Sequence, residues 1–496
     1  MVLRFTEQYL LARRFGPSPT LDAYFVAQII ILVGSQCAVA VTSAGVPIIT
    51  SGVIPGNNAI QKADFTIIAC VLSVCFVAAV LLILGAPMFV AVLGPGLDQH
   101  SSKLAQFLLR CSVPAAILSI IAAAFRAHWH SHHHLLTPGI LQLLMPFVST
   151  SLALLVAYNF LGIEWVPLGA GLGAFLFTVA LARPFFDSGN TEEMQWNSKV
   201  AKEFVTALFP VCLAMILIPC MVAVGRMFAS RLHAGNVSAL SVAASLMSIP
   251  GQLAATSVGI AILPRTSSFV SDKRQDQAAA LIDRALRMTV FCSTPFVAIF
   301  ALYPDRIVRM LFHGGSFDAQ SIELTSIALR GYCFGIPALA ALQVLVFAFF
   351  ASSMWRQVAG VTIISLLLNG VLSAFFSNSI LGLSAAFSTT CYISAAILTV
   401  LLKRRIAHLS AAHMLLSSGR AAVATAVAFI GVHFAFGRLF RQPPYLLPLA
   451  VSFIGYIGLA GLFCRSEMRE VISLFERRKV SHIGGINDEK TLAGAP

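Results

Sequence analysis

From Ala23 to Thr50 this chain carries no charged residue, and runs of the same kind recur along nearly its whole length. An uncharged apolar run of about 20 residues is long enough to cross the hydrocarbon core of a bilayer as a helix. Repeated along 496 residues, such runs point to one fold class, an all-α polytopic membrane protein. Charge content agrees: 11% charged residues is less than half of the roughly 25% of soluble domains. A β-barrel would instead show short alternating segments.

The runs predict about 14 transmembrane helices, the first one short. Val2 to Ala12 cannot span a core of about 30 Å. It reads as the remaining end of a first helix, with a misplaced start codon as one explanation. The next five segments are expected near Ala23–Thr50, Phe65–Leu93, Leu104–Phe125, Pro138–Leu161 and Val166–Ala182. A polar stretch around 187–204 follows. Six more are expected near Val205–Ala229, Val237–Leu263, Met288–Leu302, Thr325–Ala351, Val358–Phe376 and Leu383–Leu402. The charged, amphipathic stretch Arg265 to Arg287 is expected to lie as a helix on the membrane surface. Two last segments, near Ala421–Phe436 and Tyr445–Cys464, have no counterpart earlier. The expected domains are an N-terminal lobe (1–186), a cytoplasmic linker (187–204), a C-terminal lobe (205–402), two extra helices (403–464) and a cytoplasmic tail (465–496).

An internal repeat supports two lobes. The entry to the second segment, with Asp22 at its mouth, returns as Gly235-Asn-Val-Ser-Ala-Leu-Ser-Val-Ala243, where Ser238 takes the place of Asp22. Ala23 and Ala239 are 216 positions apart and Pro47 and Pro264 are 217 apart, so the register holds. Duplicated bundles of this kind handle their cargo between the halves. The formal net charge of +13 is explained by topology rather than by nucleic acid. With the N-terminus in the cytoplasm, 22 of the 33 lysines and arginines fall on the cytoplasmic side, eight on the other, and three inside segments. Both termini are therefore expected in the cytoplasm of a bacterial inner membrane. The ten cysteines sit in or beside apolar runs without ligand spacing and read as small hydrophobes. No phosphate loop, nucleotide-binding domain or nucleophile with a base is present, so no enzyme is expected.

Taken in order, Arg14 to Ala27, Phe228 to Gly235, Leu246 to Pro250, Gly259 to Pro264 and Gly315 to Asp318 resemble stretches of the MurJ/MviN family of lipid II flippases. Arg-Phe-Gly-x5-Asp-Ala-x-Phe-Val-Ala (Arg14 to Ala27) is similar to the entry of that family's second helix. Phe228-Ala-Ser-x-Leu-x-x-Gly235, Leu246-Met-x-x-Pro250 and Gly259-Ile-Ala-Ile-Leu-Pro264 are similar to its eighth-helix region. Gly315-Ser-Phe-Asp318, Leu329 and Gly335-Ile-Pro337 follow. The resemblance spans Arg13 to Leu402. It implies two six-helix lobes in pseudo-symmetric repeat, two further helices, and alternating access that flips a polyprenyl-linked glycan. It also implies intramembrane arginines that hold a pyrophosphate. At those positions this chain has Glu7, Ser35 and Ser245. Pyrophosphate recognition favours permanently charged, bidentate donors, which serine does not provide. The alternatives are a flippase for an exopolysaccharide unit, a cation-coupled drug antiporter, and a membrane scaffold without transport.

The residue candidates follow. Asp22 either caps a helix or acts as a switch, pairing in one state with Arg13, Arg14 or Arg231. Arg110, Arg226 and Arg330 lie within apolar segments, where a charge rarely faces lipid; Arg226 is near enough to an end to snorkel. His128, His130, His132, His133 and His134 form a weak metal candidate and read better as an interfacial loop near anionic headgroups. Asn369 reads as a helix–helix hydrogen-bonding residue. No cofactor is expected. Energy would come from an ion gradient, the membrane potential or downhill consumption of the product. The expected partners are the lipid-linked glycan, membrane lipids, and a glycan polymerase or glycosyltransferase.

Overall fold

The computed structural model describes residues 2–50, 59–132, 134, 136–187, 196–271, 274–352, 354–405, 419–420, 423–431, 451, 454–456 and 458–459. Side chains are described at these positions except 59–62, 184–187, 253–268, 270–271 and 405. His133, Ser51 and most of the last two expected segments lie outside the described residues.

The described chain is helical. In order the helices are α1 (Val2–Phe15), α2 (Pro19–Thr50), α3 (Ala59–Leu84), α4 (Ala86–Leu93), α5 (Gln99–Ser131), α6 (Leu136–Leu141), α7 (Leu144–Ala157), α8 (Trp165–Asp187) and α9 (Ser198–Met215). They continue as α10 (Leu217–Ala229), α11 (Asn236–Ser271), α12 (Gln275–Leu302), α13 (Pro304–Phe312), α14 (Ala319–Cys333), α15 (Ile336–Ala351), α16 (Trp355–Phe375) and α17 (Ile380–Arg405). Among the described residues eight spans are long and apolar enough to cross a membrane, and ten if α9–α10 and α14–α15 each form one bent span.

Proline explains the breaks. Pro219 has no N–H for the carbonyl of Met215, and α9 and α10 meet there at 48°. Pro337 likewise leaves the carbonyl of Cys333 without its helical donor, next to the break between α14 and α15. Pro295 sits inside α12 and frees the carbonyl of Phe291, which accepts a hydrogen bond from the Tyr456 hydroxyl at 2.9 Å.

Three expectations are corrected. The stretch Arg265 to Arg287 is not a separate surface helix. α11 runs on to Ser271, and α12 starts at Gln275 and continues unbroken into the expected ninth segment. Ala278, Ala279, Ile282, Ala285 and Leu286 are buried, and neither glycine nor proline interrupts α12 before Pro295. Two of the histidines do not belong to a loop beyond the fourth segment, because α5 extends to Ser131 and carries His128 and His130, while His132 and His134 follow its end. The short amphipathic helix α13, missing from the sequence reading, was hidden by its charges Asp305, Arg306 and Arg309.

The repeat extends into helix caps. Asp98 caps α5, accepting from the backbone N–H groups of His100 and Ser101. Asp318 caps α14, accepting from Ser321 N–H and hydroxyl at 2.8 and 2.6 Å. Asp98 and Asp318 are 220 positions apart, as are Ser101 and Ser321 and also Arg110 and Arg330. One duplicated Asp-x-x-Ser entry thus starts two helices.

The helices cluster into two compact units. The first holds Met1–Ile249, Pro304–Gly335 and Met354–Ser394. Within it α2 packs along α5, α5 on α8, α7 on α8 and α1, and α16 on α9 and α10. Its interior is built largely of alanine, valine and isoleucine between α2, α3, α5 and α9, with Ile67, Ala122, Ala127 and Val200 fully buried. Small side chains let helices approach closely where lipid supplies no hydrophobic drive. Asn369 donates to Thr390 at 3.4 Å, joining α16 to α17 as the sequence suggested. The second unit holds Pro250–Tyr303, Ile336–Ser353 and Ala395–Pro496. There α12 packs on α15, and Phe291 meets Ala424, Ala428, Phe429 and Tyr456.

Candidate functional site

Ser18 accepts from the N–H of Leu21 at the start of α2, so the mouth of α2 does not need Asp22 as a cap. Asp22 is 3% exposed and reaches another helix. One carboxylate oxygen accepts from Gly235 N–H at 2.6 Å. The other accepts from Ser238 N–H and from its hydroxyl, both at 2.7 Å. These amides are orphan donors of the first turn of α11, where the helix dipole favours an anion. Asp22 therefore caps α11 from α2, and it bonds the residue that stands in its own place in the repeat.

The backbone makes this approach possible. Gly235 holds φ of +91°. A Cβ there would lie 2.7 Å from the Pro17 carbonyl oxygen. Gly16, with φ of +59°, presses against the Ser316 carbonyl in the same way. Glycine is the residue that combines positive φ with such contact. The Ser316 N–H donates to the Arg13 carbonyl at 2.9 Å, so the entry loop of α2 is held on both sides.

Arg226 stands behind this latch. It does not snorkel; it is 3% exposed, and Nη1 donates to the Phe25 carbonyl at 2.5 Å. Its guanidinium lies 5.3 Å from the centre of the Phe25 ring. The arginines expected to pair with Asp22 are engaged elsewhere. Arg13 donates to the Tyr9 hydroxyl, Arg14 lies over Phe15, and Arg231 lies over Phe228. The helix N-terminus already supplies three donors, which leaves the carboxylate little need of a cation.

The remaining candidates separate from the latch. Arg110 is exposed and donates to the Ile83 carbonyl, and Arg330 forms an exposed pair with Asp305 at 2.7 Å. Ser35 and Ser245 bond carbonyls of their own helices, Leu32 and Ser241. His128 meets the buried Asp64 at 2.5 Å, and the His132 ring lies tilted against His128, with ring centres 4.5 Å apart. His134 contacts Trp129 edge-on. His130 lies on α5, and no group of three metal-ligating side chains forms among the described residues. Sequence reasoning missed Arg126, whose guanidinium joins α5 to Thr42 and to the Ala38 carbonyl. Placing the end of the fourth segment at Phe125 put it outside the span.

A second polar constellation lies between α1, α2, α7 and α8. A small cleft of about 60 Å³ is lined by Arg4, Glu7, Tyr24, Gln28, Met145 and Ser149, among others. Glu7 accepts from the Tyr24 hydroxyl at 2.8 Å and from the Ser149 hydroxyl at 2.7 Å. Only Glu7 of this group was singled out in the sequence, because its partners Tyr24 and Ser149 come from two other helices, α2 and α7.

Comparison with known proteins follows this geometry. The family model described as "Lipid II flippase MurJ" matches residues 11–453. The lipid II flippase MurJ of Burkholderia cenocepacia is 23% identical over 427 residues, covering 82% of this chain and 81% of the relative. A probable lipid II flippase MurJ of Rhizobium tropici is 21% identical, covering 82% of this chain and 78% of the relative. A solved structure of lipid II flippase MurJ in an inward closed conformation matches with a TM-score of 0.78 at 19% identity, covering 94% of this chain and 97% of that one. A multidrug resistance MATE family transporter of the MOP superfamily, in an inward-facing conformation, matches with a TM-score of 0.70 at 12% identity, over 82% and 94%. At such identities these two structures share a fold with this chain.

Proposed function

Because the chain belongs to the lipid II flippase MurJ family, we propose that it moves a polyprenyl-linked glycan across the cytoplasmic membrane by alternating access. The observation that carries this reading is the Asp22 latch. A carboxylate buried in an apolar bundle has all its hydrogen bonds with the helix that repeats its own. Such a contact holds one state closed, and separating α2 from α11 would return the charge to water. In this reading Asp22 is the gating residue and Arg226 braces α10 against α2. The lobes are 1–186 and 205–402, joined by the linker 187–204, with both termini in the cytoplasm. The extra helices after 403 offer the lipid tail a groove. Drive comes from an ion gradient or the membrane potential, and a glycan polymerase or glycosyltransferase uses the product.

Ser35 and Ser245 favour a cargo other than lipid II itself. Both hydroxyls are already bonded within their own helices, and neither carries the charge that a pyrophosphate favours. An exopolysaccharide unit or other lipid-linked oligosaccharide is the second reading. The experiment is expression of this chain in a strain depleted of its lipid II flippase. Poor rescue, at normal membrane abundance, is the expected result. Full rescue by the unmodified chain would show that other residues bind pyrophosphate and would remove the second reading.

A further inference from the structure

We propose that Glu7 is a proton-binding site, served by the cleft between α1, α2, α7 and α8. Glu7 is 7% exposed. Among the described residues no cation stands within ion-pair distance of it. An isolated ionised carboxylate in apolar surroundings is costly, and taking up a proton removes that cost. The surrounding charged and titratable groups are few. α1 offers Arg4, exposed on the cleft rim, and Arg13, two turns further along. α2 offers Tyr24, which bonds Glu7, and Asp22, which is bound to α11. α7 has no titratable residue; α8 has Arg183 and Asp187 in its last turns, and Glu164 precedes its first residue. α13 meets α1 through Phe312 against Phe5 and Tyr9. Arg226, beyond Tyr24, is committed to Phe25.

The hydrogen bonds allow both protonation states. With the carboxylate ionised, Tyr24 donates to Oε1 and Ser149 to Oε2. A proton added to Oε2 turns that oxygen into a donor, and Ser149 Oγ becomes its acceptor. The Ser149 hydroxyl then turns to the Val166 carbonyl, already 3.4 Å away. One O–H bond forms on Glu7 as one breaks in a hydronium ion that reaches the cleft from solvent, and water is left behind. Gln28 Oε1, in the same cleft, is buried and has no donor among the described residues, and its Nε2 donates to the Tyr24 hydroxyl at 3.4 Å. It is an acceptor placed for a proton carrier beside the carboxyl.

The test is pH-difference infrared spectroscopy of the full chain in lipid nanodiscs, in choline chloride and in sodium chloride. The expected result is a protonated-carboxyl stretch that is lost as pH rises, that Glu7→Gln removes, and that is the same in both salts. Glu7→Gln keeps an acceptor for one of the two hydroxyls. Tyr24→Phe and Ser149→Ala keep the carboxyl and remove one hydrogen-bond partner each, so the band should persist at a shifted frequency. These two variants serve if Glu7→Gln does not fold. Bands that all survive Glu7→Gln, or that neither Tyr24→Phe nor Ser149→Ala moves, overturn the assignment. A band seen only in choline and lost on adding sodium makes this a sodium site instead and also overturns it. None of these readings depends on what the chain transports.

Discussion

At the scale of single residues, Asp22 separates a switch from a plain helix cap. Its three hydrogen bonds are charge-assisted, each worth about 1.5–3 kcal/mol when a charged group is one partner. Asp22→Asn keeps an oxygen for Ser238 but turns an amide N–H₂ toward the Gly235 N–H, so one bond becomes a donor–donor contact. Asp22→Ala removes all three. A loss of about 3 kcal/mol shifts the closed-to-open ratio by roughly 10²-fold. Both variants should therefore reach normal folded amounts, lose transport, and exchange the Ser238 amide faster, the alanine variant more. Transport like the parent by Asp22→Asn would mean that the charge is dispensable and that Asp22 serves only as a cap. The position of Asp22 at a helix mouth was legible in the sequence. Its partner was not, because Gly235 and Ser238 stand 213 and 216 residues away and only tertiary packing brings them near.

At the scale of elements, the apolar runs revealed most spans, and the caps and prolines decide where helices start and bend. Asp98 and Asp318 sit outside the spans, and the Ser101 and Ser321 hydroxyls and amides hold each carboxyl below its ordinary value. The sign follows from linkage. A carboxyl with a depressed folded value stabilises above the unfolded value of about 3.9 and loses that contribution as pH falls through the folded one. Protection of the Ser101 and Ser321 amides, corrected for intrinsic exchange, should stay level down to about pH 4 and decline below it. In Asp318→Asn the decline at Ser321 should vanish while that at Ser101 remains; an unchanged Ser321 profile would remove the carboxyl from the cap. Tyr456 tests a different device. Its hydroxyl satisfies the carbonyl that Pro295 leaves open, so Tyr456→Phe should cost about 1–3 kcal/mol and lower the thermal midpoint of the second unit. An unchanged midpoint would mean that the carbonyl finds another donor. The prolines themselves were visible in the sequence. What they do was not, since a proline in an apolar run permits a straight span, a bent one or two short helices.

At the scale of the whole molecule, the charge pattern orients everything else, and α5 is the element that links the two faces. Its 33 residues extend about 50 Å, well beyond a hydrocarbon core of about 30 Å. Its start at Gln99, beside the Asp98 cap, and its end at His128 and His130 therefore emerge on opposite sides. In the orientation proposed from the lysine and arginine bias, the histidine end lies in the cytoplasm, together with the start of α12 at Gln275. Under that proposal the α5 cap would lie on the outer face and the Asp22 latch would be an outer closure. Gln99 and Gln275 are both exposed, and neither is part of the latch or the Glu7 cleft. A cysteine at Gln99 should react with an impermeant maleimide in intact cells, whereas one at Gln275 should react only after the membrane is opened. The parent chain, whose described cysteines are all buried or half-buried, supplies the background. Reversed labelling would invert the protein and turn the latch into an inner gate. Labelling of both sites from outside would break the odd number of spans expected between them, and with it the expectation that both termini lie in the cytoplasm.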